Sequence, residues 1–285
     1  MRFAITASDR YLGVFNAFIA AGWEPIRLYS SPTDGRVFNN KECIARASAL
    51  KLGIQLSPLK EGDLHALGDE GCEVLIVASY QWRIGDWRAH LPFAINFHPS
   101  LLPQYRGPYP LVNGLLDGAP RWGVTCHQLA PDFDTGDILA QRAFDVAADE
   151  SHESLDLRTQ MAAAALAKEV AGNFKALWDA ATPQAGGSYA PLFKDADRTL
   201  DFNQPLARIL RTVRALGRLE CLAKVNGVHM HVSRATGWLE AHQTTPGTVV
   251  HAHALAVVVA CADGYVAVLD WHLFDPNAVT GTHWR

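Results

Sequence analysis

The sequence predicts an α/β chain: an open, mostly parallel sheet with helices on both faces, followed by a small β-rich domain. Three observations carry that expectation. The first half alternates short β-branched apolar runs with segments of helical periodicity, the pattern of a parallel sheet covered on both sides. Over residues 182–191 the composition turns to Pro, Gly and small residues, as in a connection between domains. Beyond it, short apolar runs are separated by turn signals such as Asn226-Gly227, which suits a small barrel or sandwich.

Each element follows from the same signals. Residues 2–7 read as a strand and 11–21 as the helix after it, then 25–29 as a strand and 41–52 as a helix. Residues 74–78 read as a buried strand and 93–97 as another, giving a Rossmann-like open sheet. A helix opening near a proline is expected over 108–116, and strands over 122–129 and 138–144 flank the loop 131–136. Leu157, Met161, Val170, Phe174 and Trp178 recur at helical intervals through an alanine-rich stretch, which predicts one long helix. The domains are therefore placed at 1–181 and 196–285, joined by 182–195. In the second, a helix over 204–216 precedes strands over 221–225, 229–234, 247–251, 254–261 and 265–270, with an OB-like fold as one candidate.

At 285 residues the chain has room for about two domains and a core that needs no stapling. Its 25 Lys+Arg against 29 Asp+Glu give −4, so the surface as a whole does not attract polyanions. Five scattered cysteines without a C-x-x-C pair argue against a disulfide framework or a zinc ribbon and suit a reducing cytosol. Charge appears early in the sequence, and no apolar run approaches the length of a membrane span; the expectation is a soluble cytoplasmic protein without membrane contact.

The stretch Ile95-Asn96-Phe97-His98-Pro99-Ser100-Leu101-Leu102-Pro103-Gln104-Tyr105-Arg106-Gly107 carries the chemistry. Asn96 and His98 are two apart at a strand end, so both side chains project from one sheet face and Phe97 from the other. Pockets of open α/β sheets form outside the carboxyl ends of strands, where this pair sits. The strand over 123–129 runs into Ala130-Pro131-Asp132-Phe133-Asp134-Thr135-Gly136-Asp137, a loop able to bring a carboxylate beside that imidazole; Asp134 is selected. Together they make a workable acyl-transfer site. Asn96 can donate an N–H to a carbonyl oxygen becoming an oxyanion, worth about 3 kcal/mol in comparable sites. His98, with an ordinary pKa of about 6.5, can exchange protons with an attacking amine and a leaving nitrogen. Asp134 can hold the imidazole and favour its charged form, or accept the amine's proton.

Asn96-x-His98, Ser100-Leu101-Leu102-Pro103 with Tyr105-Arg106-Gly107, and Asp134-Thr135-Gly136 closely resemble the formyltransferases that use 10-formyltetrahydrofolate. Within that family the methionyl-tRNA and amino-sugar formyltransferases look nearest, and the resemblance covers most of the chain. It implies that Asn96, His98 and Asp134 are catalytic. It also implies that the Ser79–Ile84 segment, through Trp82, Arg83 and Ile84, meets the pterin while the loop before Asp134, with Phe133, forms the other wall. 10-Formyltetrahydrofolate would then be the co-substrate, with no metal.

Departures from the family pattern bear on the acceptor. The loop at 30–36 is short and nearly neutral where tRNA-specific members resemble one another in a longer basic one, and Gly217-Arg218-Leu219-Glu220 stands where such enzymes often carry Pro-Trp-Pro. The expected acceptor is a small-molecule amine or hydroxylamine, such as a nucleotide-linked amino sugar or a hydroxyornithine-type precursor; tRNA is the alternative. Arg208, Arg211, Arg214 and Arg218 form a basic stripe at helical spacing, read more readily as a solvated face than as a binding surface. A homodimer is compatible with the sequence.

Simpler readings stand beside these. No G-x-S-x-G elbow surrounds Ser100, which therefore shapes a turn and is no nucleophile. His229-x-His231 and His251-x-His253 could face a metal, but nothing nearby completes a set, so they read as surface histidines. His127 either borders the pocket or is a satisfied polar side chain. A catalytically silent folate-binding module remains the third functional class.

Overall fold

Strands β1 (Arg2–Ala7) and β4 (Val74–Ala78) are apolar almost throughout because they lie side by side in the middle of a sheet covered on both faces. In this computed structural model residues 1–33, 39–219, 221–253 and 256–273 are described. Around β1 and β4 stand β2 (Glu24–Tyr29), β3 (Gly53–Gln55), β5 (Phe93–His98), β6 (Arg121–Gln128) and β7 (Ile138–Asp145), in the order β3-β2-β1-β4-β5-β6-β7. The first five are parallel; β6 runs antiparallel to β5, and β7 to β6.

The two faces follow from strand alternation. Phe3 and Ile5 join Phe15 and Phe18 of α1 (Leu12–Ala20) and Leu166, Val170 and Phe174 of α5 (His152–Asp179) in one core. Ala4, Leu75 and Val77 face the other way, toward Leu64 and Leu67 of α3 (Glu61–Asp69). The remaining helices are α2 (Lys41–Ala49) and α4 (Pro110–Asp117). The five cysteines are buried and unpaired, and burial pushes the Cys43 thiol up to about 12.

The chain divides into two compact units, residues 1–111, 120–146 and 155–191, and residues 112–119, 147–154 and 192–285. The second holds α6 (Leu206–Leu216) and an antiparallel sheet ordered β10-β11-β12-β9-β8, made of β8 (Cys221–Val225), β9 (Val228–Leu239), β10 (Val249–His253), β11 (Ala256–Ala260) and β12 (Gly264–Leu273). Helix α6 buries Leu206, Ile209, Val213 and Leu216, the apolar half of its 3.6-residue period.

The fold class agrees with the sequence reading, and several details differ. Neither β3 nor α3 was signalled. In α5 the buried residues are Leu155, Ala162, Leu166, Val170 and Phe174, whereas Leu157 and Met161 are 60% and 73% exposed. The regular interval had joined two different faces, and the helix also kinks at Asn173. His231 is buried and stacks on His272 with ring centroids 4.7 Å apart, which corrects the surface reading; His251 and His253 are exposed. Among the described residues no three metal-ligating side chains come together. Arg208 of the arginine stripe is exposed and Arg211 and Arg214 are half-buried, and all three touch neighbouring main chain. Arg208 donates to the Leu116 carbonyl at 2.6 Å, Arg211 lies against Gly118, and Arg214 reaches the Ala148 carbonyl. Residues 34–36 of the loop after β2, the Arg218 side chain and Glu220 lie outside the described residues.

Candidate active site

Strand β5 is the last of the parallel strands, and its carboxyl end carries Asn96 and His98. Phe97, between them, turns to the opposite face and meets Phe18 edge-on at 6.1 Å. Strand β6 pairs with β5 so that His127 stands opposite Asn96 and Thr125 opposite His98. From the end of β6 the chain turns back over β5 before entering β7, and this loop delivers Asp134. Its backbone is left-handed there, φ +56°, which Asp tolerates better than most residues. Four hydrogen bonds from three residues hold the loop. Gln184 Nε2 donates to the carbonyls of Asp134 (2.9 Å) and Gly136 (2.7 Å), Arg83 donates to that of Pro131 (2.7 Å), and Gln128 N–H donates to Asp137 at 2.9 Å.

The Asp134 carboxylate, 10% exposed, is the hub of the site. Oδ1 accepts from Asn96 Nδ2 at 3.1 Å and lies 3.3 Å from His98 Nδ1 and 3.6 Å from His127 Nε2; Oδ2 accepts from Gly107 N–H at 2.9 Å. The structure thus brings Asn96, His98 and Asp134 together, joined by His127. Burial opposes ionisation of Asp134, but the two imidazoles and the Gly107 N–H outweigh it and hold the carboxyl down at about 2. Burial pushes His98 the other way, below its ordinary value, despite the attraction of Asp134. Near neutral pH the pair is therefore a carboxylate beside a neutral imidazole. Both His98 nitrogens face groups that only accept, the Tyr105 carbonyl 2.9 Å from Nε2 and Asp134 Oδ1 3.3 Å from Nδ1, so the neutral ring serves one of them with its single proton and a second proton would serve both.

Trp82 and Ile84 are half-buried. Trp82 meets Tyr80 edge-on at 5.3 Å, and Ile84, like Leu129, packs against the core that holds Trp87. The Arg83 guanidinium lies 5.9 Å from the centre of the Phe133 ring, so these two are brought to the same loop. Against the other side of that loop a cleft of about 430 Å³ is lined by Arg106, Asp132, Phe133, Thr135, Ser188 and Tyr189. Ser100 is buried and bonds the Gln104 carbonyl, a turn-shaping role.

Two family descriptions match the chain: "Formyl transferase" over residues 49–170 and "Formyl transferase, C-terminal domain" over 193–284, together about three quarters of it. The chain belongs to the formyl transferase family. It is 28% identical over 258 residues to the methionyl-tRNA formyltransferase of Thiobacillus denitrificans, covering 87% of this chain and 84% of that one. Among solved structures, an N-formyltransferase from Helicobacter canadensis, in complex with folinic acid and dTDP-3-aminofucose, superposes with TM-score 0.66 at 13% identity over 95% and 99% of the two chains. HypX from Aquifex aeolicus in complex with tetrahydrofolic acid does so with TM-score 0.68 at 20% identity; this formyltransferase spans 96% of itself but 44% of HypX.

Sequence reasoning missed four contributors to this formyltransferase site. Gln184 sits in the stretch read as a connection, where nothing marks a loop clamp. Tyr105 and Gly107 act through backbone groups, which the side-chain pattern does not reveal. The exposed ring of Tyr189 is brought to the cleft by the same segment, which pairs with the Arg106 backbone.

Proposed function

We propose that this formyltransferase moves the formyl group of 10-formyltetrahydrofolate to an amine or hydroxylamine nitrogen of a small metabolite, with Asn96, His98 and Asp134 as its catalytic residues. The observation that carries the reading is the convergence of an amide, a neutral imidazole and a buried carboxylate on one point at the end of β5. Trp82, Arg83, Ile84 and Phe133 would hold the donor, which supplies an activated formyl carbon. The half-buried side chains of Trp82 and Ile84 and the exposed ring of Phe133, beside main-chain groups, suit a flat ring with a polar edge.

The acceptor nitrogen bonds to the formyl carbon while the carbon–nitrogen bond to the folate breaks. His98 Nδ1 takes the proton released by the amine, and Asp134, 3.3 Å away, stabilises the imidazolium that forms. The same proton then passes to the departing folate nitrogen. Asn96 donates to the carbonyl oxygen as charge develops on it. Both of its N–H groups are already engaged, one with His127 and one with Asp134, so it exchanges one of those bonds for the oxyanion.

A small acceptor is supported by the net charge of −4 and by the engagement of Arg208 and Arg214 with main-chain carbonyls. The second reading, an aminoacylated tRNA acceptor, is favoured by relatives named methionyl-tRNA formyltransferase. Tetrahydrofolate release, followed with 10-formyltetrahydrofolate and a panel of amines, hydroxylamines and charged initiator tRNA, decides between them. Turnover with a small amine is expected; turnover with tRNA alone replaces the acceptor, and silence with every acceptor refutes the activity.

A further inference from the structure

We propose that His127 is a positioning residue that fixes the orientation of the Asn96 amide, an inference that rests on the formyl-transfer reading of the site. His127 is fully buried on β6, directly across the ladder from Asn96. Its Nδ1 lies 2.7 Å from the carbonyl of Gln128. A carbonyl offers no proton, so the ring must donate from Nδ1, and the neutral imidazole is left with a lone pair on Nε2. That lone pair faces Asn96 Nδ2 at 3.1 Å. An acceptor there selects the amide nitrogen and rejects the amide oxygen, which would set two lone pairs against each other.

The consequence reaches the chemistry. An asparagine amide can be turned over at little steric cost, and only one of its two orientations offers N–H groups to the reacting carbonyl. Asp134 Oδ1 also accepts from Nδ2, yet a carboxylate on a loop cannot by itself define the plane of the amide. His127, on a central strand and tied to its own backbone, supplies the second, rigid reference. Sequence inspection left it between a pocket-border residue and a satisfied polar side chain; the geometry gives it a role through Asn96.

The test has an arm that does not depend on activity. In the wild-type protein labelled with 15N at histidine, the His127 ring should show the Nδ1–H tautomer at neutral pH; the Nε2–H tautomer would overturn the proposal even if the enzyme formylates its acceptor. In the kinetic arm, His127→Phe should lower kcat about a hundredfold, the scale of an angstrom-level misplacement, while KM for 10-formyltetrahydrofolate changes less than about threefold. His127→Gln, whose amide offers one donor and one acceptor, should recover most of the loss. In an Asn96→Ala background His127→Phe should cost at most about threefold further, the part that its contact with Asp134 contributes. An undiminished loss in that background, or no recovery with Gln, contradicts a role exerted through Asn96. Absence of turnover in the wild type would instead refute the proposed function and leave the tautomer measurement to judge this inference.

Discussion

Asn96, His98 and Asp134 occupy one hydrogen-bonded cluster in which each group sets the state of the next. Removing the amide with Asn96→Ala should lower kcat at least about a hundredfold, as expected for loss of an oxyanion donor, with little change in melting temperature; a loss below tenfold in steady-state assays would disprove that role. Because burial lowers the pKa of His98, its neutral form prevails at pH 7, and kcat should fall only on an acidic limb whose midpoint lies below about 6.5. The linkage has the same direction. The folded protein binds fewer protons at His98 than the unfolded chain does, so this group's contribution is present above about 6.5 and lost as pH falls through the folded value. Asp134→Asn removes the anion that favours the imidazolium, and the acidic limb should therefore move to still lower pH as turnover drops. An unmoved limb would show that Asp134 does not act on His98. At this scale the sequence was informative: strand-end spacing alone puts Asn96 and His98 on one face, while choosing Asp134 over Asp132 and Asp137 needed the loop pattern. What it could not reveal were the backbone partners, Tyr105 and Gly107, whose groups every residue possesses.

Strand β5, the loop after β6 and the segment at 182–191 meet at the site, and Gln184 ties the last two together. Gln184→Ala deletes both bonds to the loop backbone; each is worth about 1 kcal/mol net, so kcat should fall roughly tenfold or more and the melting temperature by only a few degrees. Gly136→Ala should be more damaging, since a Cβ there would overlap the Gln128 carbonyl oxygen and push the loop off β6. Short apolar runs with abrupt polar ends made β1, β4 and β8 legible with their exact limits. Strand β3 is three residues long and α3 opens on Glu61-Gly62-Asp63, so neither offers enough apolar repeats to stand out. In α5 the alanines that face the core carry little hydrophobic signal, and exposed Leu157 and Met161 misled the pattern. The 182–191 stretch has the composition of a connector because its contacts are made by backbone and by one glutamine.

For the molecule as a whole, two units carry the two halves of the family match, and the acceptor is the property that composition leaves open. A net charge of −4 and arginines engaged with main-chain carbonyls predict that tRNA binds weakly and with a shallow dependence on salt. Arg208→Ala should lower the melting temperature while leaving acceptor KM unchanged; a selective loss of tRNA affinity would restore the tRNA reading. Most direct of all is a crystal structure of the enzyme soaked with folinic acid, a stable formyl-bearing relative of the donor. The formyl carbon is expected within about 3.5 Å of polar atoms of Asn96 and His98 and beside the Asp134 carboxylate, the spacing of a near-attack arrangement. A pteridine bound with its formyl group pointing away from all three would contradict it.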